Sequence, residues 1–222
     1  MTTWQILVLA IGIPVVIVGL TLGLTFYATK RTNQRRQATI EQRGYFWIGS
    51  SPELATFWRA ARHEQPGPRS AMAANQGFSG RVGDVDFKAF NADYGNGFIE
   101  QVVTIDLPQP LPWAHVGSDS ARKGKGDEVS FSEHLTVRSQ DDAFSRWLIS
   151  QPVMTFFVQW GWPHELMVVD NHLVASRHHY GLINDAAHIR WKGVDFLDAV
   201  PDVVAQLSKL AAMMAAQPWS LA

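Results

Sequence analysis

Four histidines fall within 17 residues of "VDNHLVASRHHYGLINDAAHIRW": His172, His178, His179 and His188, with Asp170 and Asp185 alongside. These are metal-ligand types, and a zinc ion would need three or four of them to converge within about 2 Å of one point. Read as a strand, the run sends His178 and His179 to opposite faces. It leaves His172 and His178 on one face but roughly 20 Å apart. Only His178 or His179 with His188 and Asp185, after a chain reversal, could converge, and none of the familiar zinc spacings occurs. The run reads first as histidines on a surface strand and loop; a metal site on His178, His179, His188 and Asp185 is the alternative.

Other chemistry is sparser still. The chain has no cysteine, which excludes disulfides, thiolate metal sites and cysteine nucleophiles together. There is no GxSxG, and Ser79 in "GFSG" falls in a predicted strand. Ser176 and His178 stand two apart on one strand, a poor geometry for nucleophile and base. The acid pairs Asp127-Glu128 and Asp141-Asp142 sit in a loop and at a helix start, ordinary places for solvated or capping carboxylates. The glycines flank hairpins rather than forming a phosphate loop. Trp147, Phe156, Phe157, Trp160 and Trp162 crowd one region, and a core cluster explains them better than a ligand groove. The expectation is a non-catalytic protein without catalytic residues or cofactor.

The elements that would carry these residues follow from turns and periodicity. "YFWIG" reads as a short strand. "SSPELATFWRAARHEQ" starts a helix with Ser51 as cap, Pro52 in the first turn, and Leu54, Phe57, Trp58 and Ala61 on one stripe. "PGPRS", 66–70, ends it as a connection. "FSGRV", "DVDFKAFNADY" and "FIEQVVTIDLP" read as consecutive strands joined at Gly83 and at Gly95–Gly97. In the second of them Val85, Phe87, Ala89 and Asn91 share one face, Asp86, Lys88 and Phe90 the other. "LPWAHV" adds a strand, "SDSARKGKGD" an exposed loop, and "EVSFSEHLTVRS" one further strand. "DDAFSRWLISQPVMTFFVQW" is helical, capped by Ser139 or Asp141 and kinked or divided at Pro152. "ELMVVD" and "HLVASRHHY" form a hairpin around Asp170-Asn171, and "VDFLDAVPDVVAQLSKLAAMMAAQ" is an amphipathic helix interrupted or restarted at Pro201. The fold class is α+β, helices packed on an antiparallel sheet.

Ahead of this domain, Ile6 to Tyr27 runs 22 residues without a charge. As a helix rising 1.5 Å per residue it covers roughly 30 Å, the thickness of a bilayer's hydrocarbon core. Trp4 and Tyr27 stand where interfacial aromatics anchor a span. "MTTWQ" lacks the basic start, and "FYATK" the cleavage site, of a signal peptide. Lys30, Arg31, Arg35, Arg36 and Arg43 follow the apolar run against Glu41 alone, a surplus of +4. Residues 44–222 then hold 14 basic and 19 acidic residues, a balance of −5, which argues against nucleic acid as partner. The expected organisation is a transmembrane helix over 1–29, a helical basic stalk over 30–43 and a globular domain over 44–222. Basic flanks stay cytoplasmic, so the N-terminus is expected outside the cell membrane and the domain inside. Lys30, Arg31, Arg35 and Arg36 can rest on anionic headgroups. Gly19 and Gly23 form a small-xxx-small pair, a candidate surface for a homodimer.

The runs "GFSGRVGDVDFKAFNADY", "VVTIDLPQPLPWAHV", "FSEHLTVRSQDDAFSRWLISQPVMTFFVQ" and "WGWPHELMVVDNHLVAS" resemble an uncharacterised bacterial family of actinobacterial type. The resemblance spans roughly Gly44 to Leu207 and rests on packing patterns. It implies a small membrane protein with a hydrophobic N-terminal segment and a cytosolic α+β domain. It implies no activity and maps no functional residue. The sequence therefore points to a single-pass membrane protein with a lipid- or protein-interaction domain, and, as the alternative, to a membrane-anchored metal-dependent enzyme using the segment 172–188.

Overall fold

The computed structural model describes residues 3–62, 71–95, 98–117, 127–132, 135–160, 165–180, 190–191 and 194–217. The chain divides into two compact units, Met1–Gly44 and Tyr45–Ala222. The first is one helix, α1 (Thr3–Gln42), 40 residues long. From Val15 to Tyr27 its large apolar side chains stand exposed, and so do Lys30, Arg31 and Arg35. The threonine hydroxyls fold back on the helix: Thr25 donates to the carbonyl of Thr21 at 2.8 Å and Thr29 to that of Thr25 at 2.9 Å. Among the described residues no helix is long and apolar enough to cross a membrane. The expected span begins at Ile6, and the side chains of residues 6–14 lie outside the described ones.

The second unit is built on a sheet of nine strands, every adjacent pair antiparallel. In chain order its elements are β1 (Phe46–Gly49), α2 (Pro52–Ala61), β2 (Ala73–Val82), β3 (Val85–Asp93), β4 (Phe98–Asp106), β5 (Ala114–Gly117), β6 (Asp127–Ser132) and β7 (Leu135–Ser139). They continue with α3 (Asp142–Leu148), α4 (Gln151–Trp160), β8 (Glu165–Val169), β9 (His172–Tyr180), β10 (Arg190–Trp191), β11 (Val194–Asp195) and α5 (Phe196–Ala215). The strand order is β1-β2-β3-β4-β9-β8-β5-β7-β6, with β10 and β11 as a separate ribbon. The α+β architecture expected from the sequence is present.

Local chemistry explains most boundaries. Ser51 Oγ accepts from the Leu54 amide at 3.2 Å, and Pro52 follows it in the first turn, so α2 starts there. Asp141, not Ser139, caps α3 by accepting from the Phe144 amide. Pro152 lies in the first turn of α4, where its missing N–H costs no helical bond, and the helical segment divides just before it. Two-residue turns link Val82 to Val85 and Val169 to His172, with Gly83 and Asp170 in the left-handed region.

Two expectations need correction. The stretch 127–139 is a hairpin of β6 and β7 rather than one strand. Pro201 lies inside α5, which runs unbroken from Phe196 to Ala215. It is the sixth residue of that helix, so its missing N–H removes only the bond to Leu197, and buried Val200, Val203, Val204 and Leu207 hold the continuation on the sheet.

The centre of the sheet is covered on both faces. On one, Leu54, Ala55, Trp58 and Ala61 of α2 pack against Phe90, Ala92, Val102, Met167 and Val174. On the other, α5 lies across β2, β3, β4 and β9, with Phe196 in ring contact with Phe78. Hence β3 alternates near its start but is buried at every position from Ala89 to Ala92. Strand β8 is buried throughout.

Candidate functional site

The sheet face beneath α2 holds a cluster of ionisable and aromatic groups that no sequence motif announces. Glu100 sits in β4 and Glu165 opens β8, each close to buried valine, isoleucine, leucine or methionine. Strand β9 lies between them, pairing Glu100 with His178 and Glu165 with Ser176. Glu100 is 0% exposed and Glu165 4%. An isolated carboxylate at such depth would cost several kcal/mol, so each requires partners.

Arg62 supplies them. It is the residue that ends α2, and the helix delivers its side chain between the two strands. Its Nη1 donates to Glu100 Oε1, and its Nη2 stands 2.9 Å from Glu165 Oε2. The guanidinium lies 5.0 Å from the centre of the Trp58 ring, a cation–π contact one helical turn back. The Tyr94 hydroxyl donates to Glu100 Oε2 and accepts from Trp58 Nε1 at 3.1 Å. His115 Nε2 lies 3.4 Å from Glu165 Oε2. Trp113 Nε1 donates to the Ala61 carbonyl at 3.2 Å, satisfying one of the acceptors that the end of α2 leaves over. One guanidinium thus serves two carboxylates, and each neighbouring aromatic has a polar task. The arrangement fastens the end of α2 to β4 and β8. Chemically it is a network in which two carboxylates share one fixed cation, while Ser176 Oγ on the same face has no hydrogen-bond partner among the described residues.

The histidine-rich run takes a different place. His172 pairs across the ladder with Asp106, Nδ1 to Oδ1 at 2.9 Å, and its ring meets Phe57 edge-on at 5.1 Å. His178 and His179 are successive residues of β9, in register with Glu100 and Ile99. Asp185 and His188 lie outside the described residues. Among the described residues no group of three or more metal-ligating side chains comes together. Ser176 is fully buried, facing Glu165 and Val102 in the ladder. Of the aromatic group Phe157 and Trp160 are buried and Trp147 and Phe156 half-buried; Phe156 packs on Phe157 and Trp160 with ring centres 5.8 and 5.7 Å apart, and Trp147 stacks on Phe144. Trp162 lies outside the described residues. Gly19 and Gly23 sit on α1 with open space where a side chain would begin.

The fold and the cluster together define an α+β domain with a sheet covered on both faces and a buried charge network at its centre. No protein-family model matches the chain, and no curated protein matches it. Among solved structures, the fold is similar to that of the mycobacterial trehalose monomycolate transport factor A, TtfA. The TM-score is 0.59 over 86% of this chain and 98% of that chain, at 10% sequence identity. The likeness is one of fold.

Proposed function

We propose that the chain is a membrane-anchored, non-catalytic lipid-interaction module. In this reading α1 spans the cell membrane over Ile6–Tyr27, its N-terminus lies outside, and residues 44–222 form the cytoplasmic domain. One observation carries the proposal: Val15, Val16, Ile17, Val18, Leu20, Leu22, Leu24, Phe26 and Tyr27 are each 56–75% exposed on a continuous helix. Moving side chains of this size out of water is worth roughly 1.5–3 kcal/mol each when complete, so together they favour lipid by roughly 10 kcal/mol or more. Thr21 and Thr25 bond to carbonyls one turn back, a device that lowers the cost of hydroxyls in hydrocarbon. Lys30, Arg31, Arg35 and Arg36 follow, oriented by the positive-inside rule and adding about 1 kcal/mol each beside anionic headgroups. The protein of similar fold is a transport factor for trehalose monomycolate, and this likeness favours a lipid over a protein as the partner of the domain.

Fractionation of cells expressing the full chain tests the anchor. The chain should pellet with membranes and resist extraction at alkaline pH, and a reporter fused after Ala222 should be active only in the cytoplasm. A full-length chain left in the supernatant overturns the anchor; a reporter active only after export reverses the topology.

A further inference from the structure

The face of the sheet beneath α5 contains a polar row. In β3, β4 and β9 this face is largely apolar, with Phe87, Ala89, Val103, Ile105, Leu173 and Ala175 buried on it and Asp93 at its end in β3. Asn91 interrupts it in β3, Gln101 faces Asn91 in β4, and Arg177 faces Gln101 in β9. Gln76 extends the row into β2. There the ladder slips by one residue between Asn75 and Phe78, and Gln76 takes φ 55°. That conformation costs a non-glycine residue about 1–2 kcal/mol, and here the bulge lets Gln76 Oε1 accept from Asn91 Nδ2 at 2.9 Å.

The rest of the row goes unanswered. Asn91 is 3% exposed and Gln101 0%. Asn91 Oδ1, both polar atoms of Gln101 and Arg177 Nη1 are buried without a hydrogen-bond partner among the described residues. Turning the Gln101 amide over exchanges its two atoms and leaves one donor and one acceptor still unmet. Each such atom costs about 1–3 kcal/mol, so valine or leucine at 101 would serve the fold better. Burial also pushes the Arg177 guanidinium below its ordinary pKa, although the residue as a whole is half-buried.

The unmet atoms specify a ligand. Gln101 Nε2 and Arg177 Nη1 are donors; Asn91 Oδ1 and Gln101 Oε1 are acceptors. A bare phosphate or carboxylate answers the donors and leaves two amide oxygens stranded. A neutral polyol answers the amides and leaves the cation uncompensated. An anion with hydroxyls beside it answers all four. We propose that the row Asn91–Gln101–Arg177 binds a hydroxylated anion of the glycerol phosphate class, free or as a phospholipid headgroup. This deepens the lipid-interaction reading, yet stands on the domain alone and does not require the anchor.

Calorimetric titration of the full chain in detergent micelles tests it, with sn-glycerol 3-phosphate, inorganic phosphate and glycerol as separate probes. Saturable binding of glycerol 3-phosphate at least tenfold tighter than phosphate is expected. Gln101→Met and Arg177→Gln should each weaken it tenfold or more while the melting temperature of Gln101→Met holds or rises. Micelles doped with phosphatidylglycerol identify the source: competition with the soluble probe marks a lipid headgroup, and no competition marks a free metabolite, with the site supported in both cases. No saturable binding, equal affinity for phosphate, or unchanged affinity in both variants overturns the site and leaves it a row holding water. A chain that binds glycerol 3-phosphate but stays in the supernatant sinks only the anchor.

Discussion

The two faces of the central sheet treat buried polar groups in opposite ways. Beneath α2, Arg62 reaches both Glu100 and Glu165, while Tyr94, Trp58 and His115 take up further bonding capacity. Beneath α5, Asn91, Gln101 and Arg177 stand in line with four atoms unanswered among the described residues. The two sets meet in β4, where Glu100 and Gln101 are neighbours on opposite faces. Depth is therefore not what separates them. Completion is. A completed network resists substitution because removing any member exposes the others, whereas an incomplete one loses little on removal and gains when something else fills it.

Breaking the completed face should produce the largest effect. Arg62→Met leaves two carboxylates buried without their cation, and loss of one partner from a buried pair costs about 3–5 kcal/mol. In a domain of this size that lowers the melting temperature by roughly 10 °C or more, measurable by thermal unfolding of the full chain in detergent. An unchanged midpoint would mean that Glu100 and Glu165 reach water or protonate without penalty, and the contrast between the faces would vanish. Tyr94→Phe is a smaller break. It strands Glu100 Oε2 and Trp58 Nε1, for a loss of about 1–3 kcal/mol in the same assay. On the incomplete face, Gln101→Met should leave the midpoint unchanged or raise it, the reverse sign at an adjacent residue. A loss there as large as that of Tyr94→Phe would show that the amide is answered within the fold.

These differences bear on what a sequence can disclose. The hairpins were legible because Gly83 and Asp170 announce turns, and α2 because Ser51 and Pro52 mark a start. The turn within 127–139 was not, since "SEHL" has no glycine, proline or asparagine to interrupt an alternating strand. Pro201 overstated a break because the apolar stripe of α5 continues beyond it onto the sheet. The charge network left one usable trace: Glu100 and Glu165 stand close to valine, isoleucine, leucine or methionine, where a carboxylate must find a partner. Nothing local says that the partner is Arg62, 38 residues before Glu100. The same holds for Gln101, which reads as a polar residue on a solvated face until α5 is seen to cover it. The conspicuous histidine run, by contrast, drew attention by composition, and β9 sets His172 six residues along the ladder from His178.

The mildest prediction uses an exposed pair as a control on the buried one. Arg81 and Asp86 face each other across β2 and β3 in a two-pronged pair, Nε to Oδ1 at 2.8 Å and Nη2 to Oδ2 at 2.9 Å. They present the same chemistry as Arg62 and Glu100 with both side chains more than 60% exposed. The hydrogen bond from Arg81 holds the Asp86 carboxyl below its ordinary 3.8. A carboxyl whose pKa is lower folded than unfolded contributes stability above the unfolded value and loses it as pH falls through the folded one. That contribution should be complete at neutral pH and fade only below about pH 4, the ordinary carboxylate range. Because water screens the pair, Asp86→Asn should barely move the melting temperature at pH 7. Its stability curve should converge with that of the parent as the pH drops below 4. If Asp86→Asn costs as much as Arg62→Met at neutral pH, burial is not what makes the Arg62 network matter, and the geometry of a two-pronged pair alone would account for both.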